Sequence, residues 1–460
     1  MKKSMAMFLG LVLLVGLTAC SSSASNGASS DQPSQSAGAG SEEKTKISYW
    51  TVDRHDSDYI KQKIDEFNAT NKDNIEVEYV VKADDYAQAL DLSFTANQAP
   101  DVFRVKEGTI QMYYKKGYMA PIDKYLTEEQ KQEFMAMADL NQFDGKMYSL
   151  PNYGNTMRLI YNKDLFEKAG IQNPPTSLAE MVEDAKLLTE AGKDIGAYGF
   201  ALPFKSPNSA WDRSARVIAE MSGFGGFGFD FKTARYDFAG FKEIAKAFKQ
   251  MYDDGSTIPG MEALDIDPLR AQFAEGKIGM YLSYSSEPGV YKTQFPAKID
   301  WAAAPAPTID GTVKGASGFL GGQWLAISAA SDKKDAAWKF INYMYGDQIL
   351  QDYHEQGYGI SMVSSIIDKA KQPDLKGIEG FLPNKNDGVW PIKPTVNVEG
   401  SGYQETFFKY MLQGGDLDKD VESLNKRYNA ALDKAIETGD VKIEADPDFD
   451  PAKLGGAFAQ

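Results

Sequence analysis

The chain has 460 residues, 43% hydrophobic and 25% charged, a balance that suits two globular domains with sizeable cores. Its formal net charge of −16 argues against nucleic acid and against a strongly anionic ligand. The two histidines, His55 and His354, cannot build a multi-histidine zinc site, and one cysteine forms neither an internal disulfide nor a Cys-based metal site.

Lys2 and Lys3 precede an apolar run over residues 5–17 that is short for a membrane span. It ends in Leu17-Thr18-Ala19-Cys20, the lipobox pattern of bacterial lipoproteins. Small residues there admit the signal peptidase, and the Cys20 thiol is the nucleophile that receives diacylglycerol. Residues 1–20 therefore read as a lipoprotein signal peptide, and the protein is expected on the extracellular face of the cell membrane. An anchor of this kind suits a Gram-positive cell, whose exported proteins would otherwise diffuse away. Residues 21–46 are Ser, Ala, Gly, Asn and Gln with almost no large apolar side chain, so they read as a flexible linker. Its ends would sit roughly 25–30 Å apart.

A strand is expected over 46–52, followed by the polar loop Asp53-Arg54-His55-Asp56-Ser57-Asp58. A helix over 59–71 places Ile60, Ile64 and Phe67 on one face. A strand over 75–80, a helix over 85–96 and a strand over 100–103 ending in Arg104 complete a parallel sheet covered by helices. Ligands of such sheets bind beyond the carboxyl ends of the strands, so the loop after Trp50 and the segment 104–107 share one rim.

Asp144-Gly145 is a tight turn, and the run behind it ends at Leu150-Pro151. The polar bridge Asn152-Tyr153-Gly154-Asn155, a short apolar run over 159–161 and a helix from Lys163 follow. Thr176 or Ser177 caps a helix over 178–191, with Glu180 in its first turn. A short strand covers 199–202, and Trp211 opens the next helix. Gly223-Phe224-Gly225-Gly226-Phe227-Gly228 has the spacing of a dinucleotide fingerprint, but it follows a helix and leads into Phe229-Asp230-Phe231, so it reads as a loop. A strand over 276–282 ends in a polar rim over 283–287. A strand over 321–328 precedes a helix around Trp338. The acidic run 416–420 is half of a calcium loop, but its sixth position is Val421 and its twelfth Arg427, which argues against calcium. A last helix is expected over 421–436.

Several of these stretches share a pattern. Gly145-Lys146, Tyr148 and Pro151 approach the bridge, and Tyr161-Asn162-Lys163-Asp164-Leu165-Phe166-Glu167-Lys168-Ala169-Gly170-Ile171 leaves it. Ala99-Pro100-Asp101-Val102-Phe103, then Phe273-Ala274 with Gly276-Lys277 and Met280, and Ala304-Pro305-Ala306-Pro307 belong with them. The combination resembles family 1 of the bacterial extracellular solute-binding proteins, the sugar-binding, maltose-binding-protein-like group. It covers nearly everything from Ile47 on and is weakest over 381–402 and 444–460.

That resemblance implies an α/β, two-lobed periplasmic-binding-protein fold of type II-like kind. Each lobe would be a mostly parallel sheet flanked by helices, joined by a multi-crossing hinge. The first lobe would comprise residues 47–156 with 326–360, and the second 157–325 with 361–460. The strand over 321–328 would be the second crossing, and a third would fall near Gly357-Tyr358-Gly359-Ile360. The resemblance also implies a monomeric, non-enzymatic binding protein without cofactor or metal. It would close around a carbohydrate, an oligosaccharide at least as well as a monosaccharide, and deliver it to the permease of an ABC importer.

A sugar is held by stacking on aromatic rings and by planar side chains that give and accept paired hydrogen bonds. With 24 Tyr and 6 Trp the chain is rich in such groups. Candidate contacts are Trp50, Asp53, Arg54, His55, Arg104 and Glu107 from the first lobe, and Asn152, Tyr153 and Asn155 from the bridge. Trp211, Tyr284, Glu287, Gln323 and Trp324 come from the second lobe or the returning strand. Trp50, Trp211 and Trp324 fit a core position as well as a platform, and Arg54 and Glu107 fit a solvated surface. Two other classes remain open: a binding protein for a peptide or polyamine, and a lipid-anchored glycosidase whose carboxylate pair would be visible only in space.

Overall fold

The computed structural model describes residues 44–82, 85–133, 138–322 and 324–456. The signal segment with Cys20, the linker as far as residue 43, and Gln323 lie outside the described residues.

The first sheet runs in the order Ile75–Val81, Thr45–Thr51, Val102–Val105, Trp324–Ser328, Met119–Ala120. Its first three strands pair in parallel, as their alternation with helices predicts. Trp324–Ser328 and Met119–Ala120 pair antiparallel. Trp324–Ser328 enters from the other lobe instead of over a crossover helix, so nothing forces it to be parallel. Thr45 and Lys46 already pair with Ile75 and Glu76, so the expected linker ends two residues early. The helix Ser57–Thr70 buries Tyr59, Ile60, Ile64 and Phe67 against this sheet. Each such side chain contributes roughly 1.5–3 kcal/mol by leaving water.

The second sheet has the order Trp301–Ala304, Met157–Asn162, Ile278–Tyr284, Tyr198–Phe200. Met157–Asn162 is antiparallel to both neighbours, and only Ile278–Tyr284 with Tyr198–Phe200 is parallel. The lobe is α/β, but its sheet is mixed, because its first strand arrives through the hinge. Asn162 caps the helix Lys163–Ala169 by accepting from the Leu165 amide at 3.1 Å. Gly170 ends that helix in the left-handed conformation, φ 76°, where a side chain would be strained. Ser177 and Glu180 form a capping box on the helix Leu178–Ala191, as their spacing predicts.

Two local readings change. The helix Pro207–Arg213 starts at its Ser206 cap and Pro207, so Trp211 lies in its last turn instead of its first. Asp416 in the calcium-like run is the N-cap of the helix Leu417–Glu437, accepting from the Lys419 amide at 3.1 Å. Asp418 and Asp420 occupy that helix's first turn, where they favour its dipole.

Three segments connect the lobes and pair with one another. Tyr153–Asn155 is the centre of a three-stranded sheet, flanked antiparallel by Leu320–Gly321 and Ile360–Ser361. These are the bridge, the second crossing and the third crossing of the sequence reading, gathered into one hinge. Beyond it, residues 380–388 return to the second lobe through a buried ion pair. Arg158 donates to Asp387 at 2.9 and 2.7 Å and to the carbonyls of Gly380 and Leu382.

Candidate ligand-binding cleft

The cleft wall of the first lobe comes from the carboxyl ends of its parallel strands. Asp53 follows the strand Thr45–Thr51 and is fixed by its own amide, which donates to Thr51 Oγ1 at 3.1 Å. Arg104, near the end of Val102–Val105, forms a close ion pair with Asp53. The Arg104 carbonyl accepts from Tyr86 at 2.8 Å, which holds the strand end in place. Lys106 follows, open to solvent, and the helix Glu107–Lys115 carries Gln111 towards the other lobe.

The second-lobe wall is built mainly by residues 211–231. Arg213 stacks over the Tyr284 ring at 4.6 Å and donates to Ser283 Oγ at 2.8 Å. Burial pushes the Arg213 guanidinium down from its ordinary pKa and pushes the Tyr284 phenol up. Asp212 faces a group of cations. Burial raises its pKa, and Lys106, Arg216, Lys393 and Arg213 pull it back. Its Oδ1 atom is buried without a hydrogen-bond partner.

Beside this cluster lies a cavity open to solvent. Phe227, Phe231 and Trp390 line its apolar side, and Gln111, Arg216 and Lys393 its polar side. Both Arg216, at 4.3 Å, and Lys393, at 5.1 Å, stand over the Phe227 ring. Arg216 donates to Glu220 at 2.7 Å, and the other Glu220 oxygen accepts from the Gly318 amide at 2.8 Å. Gly226 packs against this pair so tightly that a Cβ there would overlap it. Thr395 Oγ1 reaches Gln111 Oε1 at 3.3 Å, so the cavity is bounded by both lobes.

Asp53, Asn155 and Tyr284 are half-buried and Arg104 is buried, and none of the four lines the cavity. Asn155 lies on the hinge strand, where its Oδ1 accepts from Ser285 at 3.1 Å. Trp50 is half-buried, with Lys82 over its ring at 4.7 Å and its other contacts in the first-lobe core. Arg54 and His55 sit at the rim and are already engaged. Arg54 pairs with Asp267 at 3.2 Å, and His55 Nε2 lies 3.3 Å from the Tyr353 hydroxyl.

The remaining expectations go elsewhere. Trp211 is 4% exposed and stacks on Phe407 at 4.9 Å, and Trp324 is fully buried with its Nε1 donating to the Tyr153 carbonyl. Both are core, because each indole found apolar neighbours from distant segments. Tyr153 stacks on Tyr353 at 4.0 Å, and Asn152 accepts from the Tyr153 amide, so both build the hinge and present no surface to the cleft. Glu287 is fully buried and held by Arg270 at 2.9 and 2.7 Å; burial favours its neutral form, but Arg270 keeps its pKa below the usual value. Glu107 begins its helix, but its side chain, like Gln323, lies outside the described residues.

Sequence reasoning missed Lys106, Asp212, Arg213, Arg216, Phe227, Trp390 and Lys393. For Phe227 a signal existed, since its Gly-rich surroundings were tested only against nucleotide binding. For the others the signal is spatial.

A two-lobed α/β fold whose three crossings pair with one another, with a cavity bounded by both lobes, defines a hinged solute-binding protein. The chain belongs to the bacterial extracellular solute-binding protein family, whose profile matches residues 53–350. Binding proteins of Brucella abortus and Brucella suis are 29% identical over 277 residues, 58% of this chain and 63% of theirs. The match thus spans less than two thirds of those relatives. The maltotriose-binding protein of Pyrococcus abyssi is 26% identical over 363 residues, 77% of this chain and 74% of its own. The diacetylchitobiose-binding protein of Streptomyces coelicolor is 25% identical over 449 residues, 93% and 99% respectively. Among solved structures, the GacH receptor of Streptomyces glaucescens superposes with a TM-score of 0.67 at 21% identity, over 87% of this chain and 100% of that one. The raffinose complex of RafE gives 0.67 at 18%, over 84% and 99%. At these identities the structures speak for the fold. No helix among the described residues is long and apolar enough to cross a membrane.

Proposed function

We propose that this protein captures an oligosaccharide between its lobes and delivers it to the permease of an ABC importer, without chemical change. The observation that carries this is the cavity shared by Gln111 of the first lobe and Phe227, Phe231, Arg216 and Trp390 of the second. It joins aromatic rings to planar hydrogen-bonding side chains, the two kinds of group a sugar ring needs. Relatives that bind maltotriose and diacetylchitobiose support the same ligand class. Because the cavity spans both lobes, ligand contacts are complete only when the lobes are together, so binding favours closure by its differential affinity. In this reading the first lobe takes residues up to the bridge and the returning strand, and the second lobe the rest. The protein acts as a monomer.

The reading extends to the amino-terminal segment. Cys20 carries diacylglycerol, and the linker from residue 21 tethers the lobes to the extracellular face of a Gram-positive membrane. Labelled fatty acid should enter the wild-type protein and be absent from Cys20→Ser.

Thermal unfolding against a panel of oligosaccharides tests the main proposal. A ligand that binds only the folded protein raises the midpoint by mass action. A shift with one sugar series, and the sugar recovered intact, is the expected result. A sugar recovered cleaved would establish a glycosidase, and a shift with peptides or polyamines alone would replace the ligand class.

A further inference from the structure

After the helix Leu417–Glu437 the chain runs back over the second lobe as an arm. Residues 444–448 are exposed, and Pro451 is the one buried side chain between 444 and 456. An arm so exposed adds little to a core. Its contacts go instead to three separate segments of the lobe. The Asp446 amide donates to the Phe231 carbonyl at 3.0 Å, and the Ala316 amide donates to the Pro451 carbonyl at 3.0 Å. Gly455 pairs antiparallel with Gly388, and the Gly456 amide donates to the Asp387 carbonyl at 2.9 Å. The approach is close, since a Cβ on Gly388 would overlap the Leu454 carbonyl.

Each of these segments bears on an aromatic ring of the cavity. Phe231 and Trp390 line it, with ring centroids 6.5 Å apart. Trp390 stands two residues after Gly388, and its Nε1 donates to the Ala316 carbonyl at 2.9 Å. Phe449 of the arm completes the group, with its ring 5.0 Å from that of Phe231 and 5.9 Å from that of Trp390. It does not itself line the cavity. Main-chain and ring contacts of the arm thus converge on the same two side chains. Residues 387–390 and 446–456 both lie beyond the stretch 53–350 that the family profile matches, so the shared pattern does not account for this wall.

A platform that must be ordered as the ligand arrives loses affinity to the entropy of ordering it, and one held in place beforehand does not. We propose that residues 446–456 form a clamp that presets Phe231 and Trp390 for the ligand, with Phe449 as a positioning residue. The proposal rests on the reading of this cavity as the sugar site. Phe449 sets the two rings by packing on both, and the pairing at Gly455 fixes the segment from which Trp390 projects.

Hydrogen exchange of the tryptophan indole N–H groups, followed by NMR on the full chain, reads the clamp without ligand. Trp211 and Trp324, both buried elsewhere, are the internal references. In Phe449→Ala the Trp390 indole should exchange roughly tenfold faster, with the two references unchanged. Gly455→Ala should act in the same direction, because its Cβ would overlap the Lys385 carbonyl and unseat the arm away from the rings. It carries the same reading if Phe449→Ala fails to fold. Phe449→Tyr keeps the ring and should restore the wild-type rate. Calorimetry with maltotriose, diacetylchitobiose and raffinose measures the consequence for binding. Affinity for a sugar that the wild type binds should fall about tenfold in Phe449→Ala and recover in Phe449→Tyr. An unchanged Trp390 rate, or equal acceleration of all three indoles, would overturn the clamp and leave sugar binding standing. Faster Trp390 exchange with undiminished affinity would also overturn it. A wild type silent to all three sugars would count against the sugar reading, and the indole rates would still decide whether the arm presets the rings.

Discussion

Arg54 of the first lobe stands 3.2 Å from Asp267 of the second, across the mouth of the cleft. Asp265 lies 3.9 Å from the same guanidinium, and Gln294 donates to the His55 carbonyl at 2.7 Å beside it. These contacts exist only while the lobes are together, so they favour the closed arrangement whatever the ligand. The Arg54 side chain is 37% exposed, and exposed pairs contribute about 0.2–1 kcal/mol. Arg54→Ala should therefore weaken ligand affinity only about twofold, an effect that fades in high salt, and should raise the radius of gyration of the unliganded protein in X-ray scattering. A loss above tenfold that persists in high salt would instead make Arg54 a ligand contact.

The rim shows which parts of this protein are legible in its sequence. Caps and turns are local, so Ser177 with Glu180, and the helix start at Lys163, are legible from neighbours a few residues away. The second and third crossings are legible only through the family resemblance, and the polar bridge, expected to face the cleft, instead buries Asn152 and Tyr153 in the hinge. The tryptophans are not legible. Trp211 and Trp390 look alike in sequence, but Phe407 covers the first and the second borders the cavity. The cation cluster around Asp212 is hidden for the same reason, since Lys106 and Lys393 reach it from opposite ends of the chain.

Gly154 lies at the centre of the hinge sheet, and a Cβ there would fall inside the Phe319 ring. Gly154→Ala must push the ring or split the strand pairing, at about 1–3 kcal/mol for overpacking. A urea midpoint lowered accordingly is expected, with a slower closing rate in stopped-flow fluorescence. An unchanged midpoint would mean that the ring moves freely and that the close approach does not fix the hinge.

Arg158 and Asp387 are 2% and 1% exposed, and they tie the returning chain to the second sheet. Removing one partner strands a buried charge, which costs about 3–5 kcal/mol. Asp387→Ala should lose that much in denaturant unfolding. The double change Arg158→Met with Asp387→Leu should recover much of it, because both charges then leave the interior together. Equal destabilisation by the single and double changes would point to the carbonyl contacts of Arg158 as the stronger tie.

His354 couples the third crossing to pH. It is 7% exposed, and its Nδ1 accepts from the Ser361 amide at 3.1 Å on the strand that pairs with Tyr153. Burial holds its pKa below the ordinary 6.5, with Glu355 opposing in part. The neutral ring is the one that accepts, so the folded state refuses a proton that the unfolded chain takes. His354 therefore contributes stability that is fully present above about pH 6.5 and is lost as the pH falls through the folded value. Asp184 titrates with the opposite sign. Burial lifts its pKa to about 6, so it favours the folded state as the pH drops below that value. The difference between wild type and His354→Asn cancels this background, since Asn keeps an acceptor and does not titrate. That difference in midpoint should be constant above pH 7 and should move against the wild type between pH 6.5 and 5. A flat difference would mean that His354 takes up its proton equally in the folded and unfolded states, and that the hinge carries no proton switch.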